Sequence, residues 1–388
     1  MIERVFSSVL LTTVVVVSQS LFAAQQPKIK MEAPLIGGQQ AIVLRRAPSG
    51  GQRPEFTSVT LLPGRGMNVL QISAYLPGRG EVDLMASPPL KEAARQFDDP
   101  SARSSWNASF MMGGAFLFPF ANRILGPTTP DGKAVLVTWR GRTVAVPANW
   151  PGKTPGAAPQ ALHGLILAAR ADSIRQSADG ASVTATYNVP AEGRWFSDNQ
   201  LTVEITLEVD ALTVQLTGTN TGSEAEPVGI GWHPYFRILG NDREKVRLHL
   251  PAAARAAVNN PQQLLPTGKS IPVEGTAFDF RAPEGAPLTG PLNDTFLDLQ
   301  HGANGQVECG FTDPGADYSL KMIAFSRQVH AIVAYAPVGQ SLIVLEPQFN
   351  LPNPLGPEWA GQDNGMVILA PGEQVHWKVR LELGGVAQ

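Results

Sequence analysis

The chain has 388 residues, 43% hydrophobic and 16% charged, with a formal net charge of -3 and a pI near 6.1. It carries no block of basic residues, which sets aside nucleic acid and anionic membrane surfaces as partners. Gly 38 and Pro 33 among many short apolar runs point to strands and turns, and the single cysteine, Cys309, excludes an internal disulfide.

At the N-terminus Arg4 precedes an apolar run, Val5 to Val17, then the small and polar residues Ser18 to Ser20 and Ala23-Ala24. A charged start, a short apolar region and small residues at its end are the pattern of a secretory signal. Residues 1–24 are therefore read as a signal peptide and residues 25–388 as one domain, expected to be periplasmic or secreted. An uncleaved anchor is the other reading, although the run is shorter than the ~20 residues that span a bilayer.

Residues 40–85 alternate apolar clusters with glycine turns at Gly64, Gly66, Gly78 and Gly80, which predicts short antiparallel strands. Pro89 to Phe97 predicts a short helix with the proline at its start. The stretch Gly113 to Pro127 reads as an apolar strand ending in the polar pair Asn122-Arg123. An arginine behind so much apolar sequence needs either a carboxylate, such as Glu346, or the hydroxyls of a ligand. Asn149 to Gln160 is a proline- and glycine-rich loop that delivers His163 before a glycine.

The clearest signal lies at Leu201 to Val209, where Leu201, Val203, Ile205, Leu207 and Val209 alternate with Thr202, Glu204, Thr206 and Glu208. Period two means a strand with one buried face. Asp210-Ala211 turns the chain back into Leu212, Val214 and Leu216, and the same alternation returns at Val375, Trp377, Val379, Leu381 and Leu383. Long helical periodicity is absent, so the fold class is all-β, a sandwich of antiparallel sheets.

Strand phase sorts the six histidines. His249 and His376 share outward faces with Arg247 and Lys378, and His301 and His330 lie at a turn and a strand edge. His163 and His233 remain, each in an irregular segment beside apolar sequence. In GIGWHPYFRI, Gly229 to Ile238, Pro234 cannot donate to a ladder, so the segment reads as a strand end opening into a pocket. His233 is a candidate proton donor or acceptor, or else a histidine satisfied by the core, and Trp232, Tyr235 and Trp359 are candidate stacking surfaces for a ring-shaped ligand. Two carboxylates share this setting, Asp294 in a polar pair and Glu346 at the end of an apolar strand. Burial there raises the Glu346 pKa and makes it a better base near neutral pH, or it serves a structural ion pair. Two histidines with two carboxylates suit zinc or iron by ligand type, but no HxH or HxxxH pair is present, and no metal site is assigned.

The series FPFANRI (Phe118 to Ile124), LHG (Leu162 to Gly164), GWHPYF (Gly231 to Phe236), LLPTG (Leu264 to Gly268), GTAFDFR (Gly275 to Arg281), NDTF (Asn293 to Phe296), LEPQ (Leu345 to Gln348) and LAPGE (Leu369 to Glu373) resembles, in order and over most of the chain, the aldose 1-epimerase (galactose mutarotase-like) family. The resemblance implies a galactose mutarotase-like β-supersandwich, a small-molecule sugar substrate and no cofactor; a monomer or dimer is expected. It puts the general acid on His233 and the general base on Glu346. It puts sugar contacts on His163, Asp294 and Arg123, with Asn122, Trp232 and Tyr235 as further candidates. After LEPQ this chain reads FNLPNPLGPEW, Phe349 to Trp359, where the sugar mutarotases continue with a segment looking like PDA, so the resemblance leaves the sugar open. A non-catalytic carbohydrate-binding protein of this fold, and a polysaccharide lyase or hydrolase, are the other function classes, because fold does not determine function.

Overall fold

Period-two alternation becomes two large antiparallel sheets in the computed structural model, which describes residues 34–99, 109–151, 156–260 and 263–386. The signal segment assigned to residues 1–24 lies outside the described residues. One sheet has nine strands, and at its centre Asn199–Leu207, Ala211–Asn220, Gln374–Gly384 and Tyr318–Ala324 are neighbours in that order. The other has seven, in the order Pro266–Pro272, Ala252–Val258, Leu292–Leu299, Ala331–Ala336, Leu342–Gln348, Gly231–Arg237 and Gly114–Leu117. A four-stranded sheet from Ile42–Arg45 to Gly80–Asp83 contributes to the same core. The helix expected after Pro89 is Leu90–Phe97, with Pro89 immediately before it.

The core forms where the apolar faces of the two large sheets meet. Along Leu342–Gln348, Ile343 and Leu345 enter it with Ile332, Trp232 and Phe236, against Leu216, Trp377, Val379 and Met322 of the nine-stranded sheet. Alternation then obliges Val344, Glu346 and Gln348 to take the opposite face. Trp377 is fully buried, and its indole N–H donates to the Pro347 carbonyl at 3.2 Å, joining one sheet to the other beside Glu346. Cys309 is buried as a free thiol, and burial pushes its pKa up to about 12. No helix among the described residues is long and apolar enough to cross a membrane.

Three sequence expectations need correction. Val209 is exposed, because the strand ends at Leu207 and a turn closed by Glu208 N–H on Ala211 O begins two residues early. The apolar stretch after Gly113 is a strand only over Gly114–Leu117; it stops before Pro119, which has no N–H to donate, and pairing resumes at Arg123–Ile124 with Ala161–Leu162. Conversely, the strand carrying His233 does not end at Pro234 but runs from Gly231 to Arg237, because pairing with Leu342–Gln348 resumes at Tyr235, Phe236 and Arg237. Flanked by strands on both sides, the segment tolerates one missing donor.

The Trp377 side chain fills the junction between the sheets, so Trp377→Ala should cost about 3–5 kcal/mol of unfolding free energy, measured by urea denaturation.

Candidate active site

Register performs the first step of site assembly. Gly231 pairs with Gln348 and Tyr235 with Val344, so the residue midway, His233, stands opposite Glu346, while Val333 flanks Glu346 on its other side. Both side chains are buried, and His233 Nε2 lies 3.3 Å from Glu346 Oε1. The Tyr235 ring stacks on the His233 imidazole at 4.9 Å between centroids, inclined by 24°.

A second wall comes from the irregular chain at 118–125 and 160–165. Leu165 N–H donates to Phe118 O at 2.7 Å and His163 N–H to Asn122 O at 2.8 Å. That approach explains the glycine of LHG: Gly164 has φ +80°, and a Cβ there would sit 2.1 Å from Phe118 O. His163 and Asn122 themselves adopt φ of 61° and 59°, the left-handed region that non-glycine residues occupy at some cost. The wall is braced from behind by FNLPN. Asn350 accepts from Ala121 N–H and donates to Ala121 O, while Asn353 N–H donates to Arg123 O and its Oδ1 accepts from Leu125 N–H.

The result is a cleft of about 210 Å³ lined by Asn122, Arg123, His163, His233, Tyr235 and Glu346, with Phe110, Trp150, Gln160, Leu264, Asn293 and Tyr335 among its other wall residues. His163 meets the His233 ring edge-on at 5.1 Å, and Phe110 covers His163 at 4.9 Å. Arg123 forms no ion pair with Glu346. Its Nη1 donates to Gln263 O at 2.8 Å and its Nε to Asn122 Oδ1 at 3.1 Å.

Polar atoms without partners gather here. Gln160 Oε1, His163 Nδ1, His233 Nδ1 and Glu346 Oε2 are all buried and have no hydrogen-bond partner, and each belongs to a residue lining the cleft. Gln348, on the Glu346 face of its strand, is fully buried with neither side-chain amide atom bonded. Buried polar groups are ordinarily hydrogen-bonded, and such a cluster marks a place where a polar ligand supplies the partners.

Two expected contacts do not face the cleft. Trp232 alternates away from His233 into the core, where its Nε1 donates to Gly114 O and its ring packs on Phe116. Asp294 alternates away from Asn293, which lines the cleft in its place, and pairs with Arg255 at 2.7 Å. Trp359 is buried too, with its indole N–H on Pro352 O. The four histidines set aside in the sequence lie outside the cleft; His330, for example, pairs with Asp363 at 3.0 Å. Phe110, Gln160, Asn293 and Tyr335 were not foreseen. The polar pair Asn293-Asp294 carried a usable signal, because placing Leu292 and Phe296 in the core turns Asn293 outward with Thr295. Gln160 carried none.

Burial dominates the electrostatics. It pushes the His233 pKa down to about 4 and holds His163 well below the ordinary imidazole value, with the charges of His233 and Arg123 adding to the effect on His163. Burial also pushes the Glu346 carboxyl well above its usual range, and the positive charge of Arg123 opposes that rise. Burial lowers Arg123 itself to about 10, with Glu346 acting in the other direction. His233 and Glu346 are thus each pressed toward neutrality and together hold one transferable proton, while His163 is a neutral donor and acceptor. Among the described residues, no three His, Cys, Asp or Glu side chains are disposed to hold a metal ion.

The family model for aldose 1-epimerase matches residues 87–382 of this chain. Galactose mutarotase of Mus musculus is 32% identical over 98 residues, 25% of this chain and 29% of that protein. Maltose epimerase of Levilactobacillus brevis is 26% identical over 144 residues, 37% of this chain and 41% of that one. The chain thus spans less than half the length of these curated relatives. Among solved structures, a galactose mutarotase-like protein from Clostridium acetobutylicum superposes with a TM-score of 0.66 at 17% identity, over 89% of this chain and 98% of that one. Galactose 1-epimerase from Lactobacillus acidophilus gives 0.57 at 16%, over 89% and 99%. At these identities the structural likeness shows a shared fold.

Glu346 binds its proton more tightly in the native protein than in the unfolded chain, so stability falls as pH rises from about 4.5 through the raised pKa. Glu346→Gln removes that loss. The variant should melt at a higher temperature than the native protein, by a margin larger at pH 8 than at pH 5, as read by calorimetry at the two values.

Proposed function

We propose, from the premise that the chain belongs to the aldose 1-epimerase family, that it is an isomerase interconverting the α and β anomers of an aldose in the cleft between His233 and Glu346. The observation that carries this reading is that the closely opposed pair His233 and Glu346 lines one cavity with Gln160 and His163, each of the four residues carrying a buried polar atom without a partner.

The chemistry needs a base at the C1 hydroxyl and an acid at the ring oxygen, both within hydrogen-bond reach of neighbouring sugar atoms. Glu346 takes the proton from the C1 hydroxyl as His233 gives one to the ring oxygen. The C1–ring oxygen bond breaks, the aldehyde rotates, and closure on its other face returns both protons. The separation of 3.3 Å between the two groups suits a pair acting on adjacent atoms. Hydroxyls donating to Glu346 and the charge of Arg123 favour the carboxylate, leaving the shared proton on the imidazole. Neutral His163 and the Asn122-Arg123 pair supply donors to the other sugar oxygens, and the Tyr235 ring keeps the imidazole in plane for transfer. The identity of the aldose follows from the walls, since the acid–base pair reads only C1 and the ring oxygen.

We further read residues 1–24 as a cleaved leader, so that the enzyme acts in the periplasm or outside the cell. N-terminal sequencing of the protein from fractionated cells should find a start near Gln25, and a cytoplasmic protein retaining Met1 would overturn export.

Freshly dissolved α-galactose and α-glucose, followed by polarimetry or NMR, test the activity. The native chain should accelerate anomer exchange, and Glu346→Gln and His233→Asn should each lower kcat by about 100- to 10,000-fold, the range of a positioned general acid or base. A fully active Glu346→Gln variant refutes the role of the carboxylate.

A further inference from the structure

Among the described residues, Gln160 is the one cleft residue with a buried, unpartnered polar atom that the acid–base chemistry and the family motifs leave without a task. Its backbone is rigidly held. Gln160 N–H donates to Trp150 O at 2.8 Å, and Trp150 N–H donates to Gln160 O at 3.0 Å. Two residues on, Asn149 bonds both backbone groups of Leu162, at 2.7 and 2.9 Å, and Ala161–Leu162 pair with Arg123–Ile124. The side chain is 3% exposed and lines the cleft, and its carbonyl oxygen accepts no hydrogen bond.

Leaving a buried acceptor unmatched costs about 1–3 kcal/mol. The backbone frame is fixed and no donor of the protein is bonded to this carbonyl, so a donor carried into the cleft, met by rotation of the side chain, is the one open to it. In an aldose the C1 hydroxyl and the ring oxygen are engaged by Glu346 and His233. The ring oxygen has no proton to give, which leaves a hydroxyl on another ring carbon or on the exocyclic carbon.

We propose that Gln160 is a specificity-determining residue whose side-chain carbonyl accepts a hydrogen bond from one non-anomeric hydroxyl of the aldose, an inference that rests on the epimerase reading of this cleft. An acceptor of this kind distinguishes O–H from both C–H and C–F, because fluorine can weakly accept but never donate. It acts on substrate affinity and leaves the proton transfers at C1 untouched.

The test uses the full mature chain with galactose, glucose and their monodeoxy and monodeoxyfluoro analogues, measuring kcat and KM, and calorimetric binding to the Glu346→Gln protein. With native protein, one position should show KM raised about 10- to 100-fold for the deoxy and the fluoro sugar alike, with kcat little changed, the range that follows from an unpaired buried group. Gln160→Met, similar in length but without the acceptor, should raise KM for the parent sugar by a similar factor and abolish the penalty at that position alone. Gln160→Asn, which keeps the amide but shortens its reach, should act in the same direction, and it carries the test if the methionine variant fails to fold. Unchanged KM in both variants, or a rise equal for the parent and every analogue, overturns the proposal. Turnover without dependence on Gln160 refutes the role of Gln160 alone, whereas Gln160-dependent binding without turnover in the native protein refutes the epimerase reading alone.

Discussion

The pairing of the His233 strand with the Glu346 strand is the constraint on which the site depends. Side chains along a strand alternate, so a slip of one residue would carry Glu346 into the core and Leu345 into the cleft. Such a slip is opposed by every apolar residue on the inner face, with Ile343 and Leu345 on one strand and Trp232 and Phe236 on the other. Hydrophobic burial between the sheets therefore sets the geometry of the acid–base pair on the opposite face. The tie from Trp377 to the Pro347 carbonyl secures the same strand next to its glutamate.

The price of that arrangement appears in the protonation states. Removing a histidine and a glutamate from water disfavours the charged form of each, and Arg123, turned to Gln263 and Asn122, forms no ion pair with the glutamate. The pair is left with one mobile proton, which suits a reaction that moves a proton off one sugar oxygen and onto another. Arg123 acts at a distance, as the charge that favours a carboxylate over a carboxylic acid.

The second wall is built on a different principle. Segments 118–125 and 160–165 have little regular pairing, and their shape is held by specific bonds: Phe118 O and Asn122 O receive the chain around His163, while Asn350 and Asn353 clamp the backbone from Ala121 to Leu125. The segment after LEPQ, which departs from the mutarotase pattern, is thus a brace for the Asn122-Arg123 wall. Left-handed backbone at Asn122 and His163 is tolerated because these contacts over-determine it.

Much of this was legible beforehand. Alternation alone identified the central strands, read at 201–209 and 375–383, and put His249 and His376 on outward faces, because a period of two is a local property of side chains on a pleated backbone. Motif order pointed to His233, Glu346, His163 and the Asn122-Arg123 pair, all of which line one cleft. The same rule could have excluded Trp232 and Asp294, whose neighbours His233 and Asn293 face the cleft, had the inner face of each strand been known. The sequence by itself determined which residues alternate, which carry protons, and that the sheets are antiparallel. Only the tertiary structure decided which face of each strand meets the opposing sheet, that His233 and Glu346 fall opposite one another, and that Gln160 lines the cleft with its carbonyl unpartnered. Those outcomes depend on pairing and burial between segments distant in the chain, more than 100 residues apart for His233 and Glu346, and a local pattern holds no information about its distant partner.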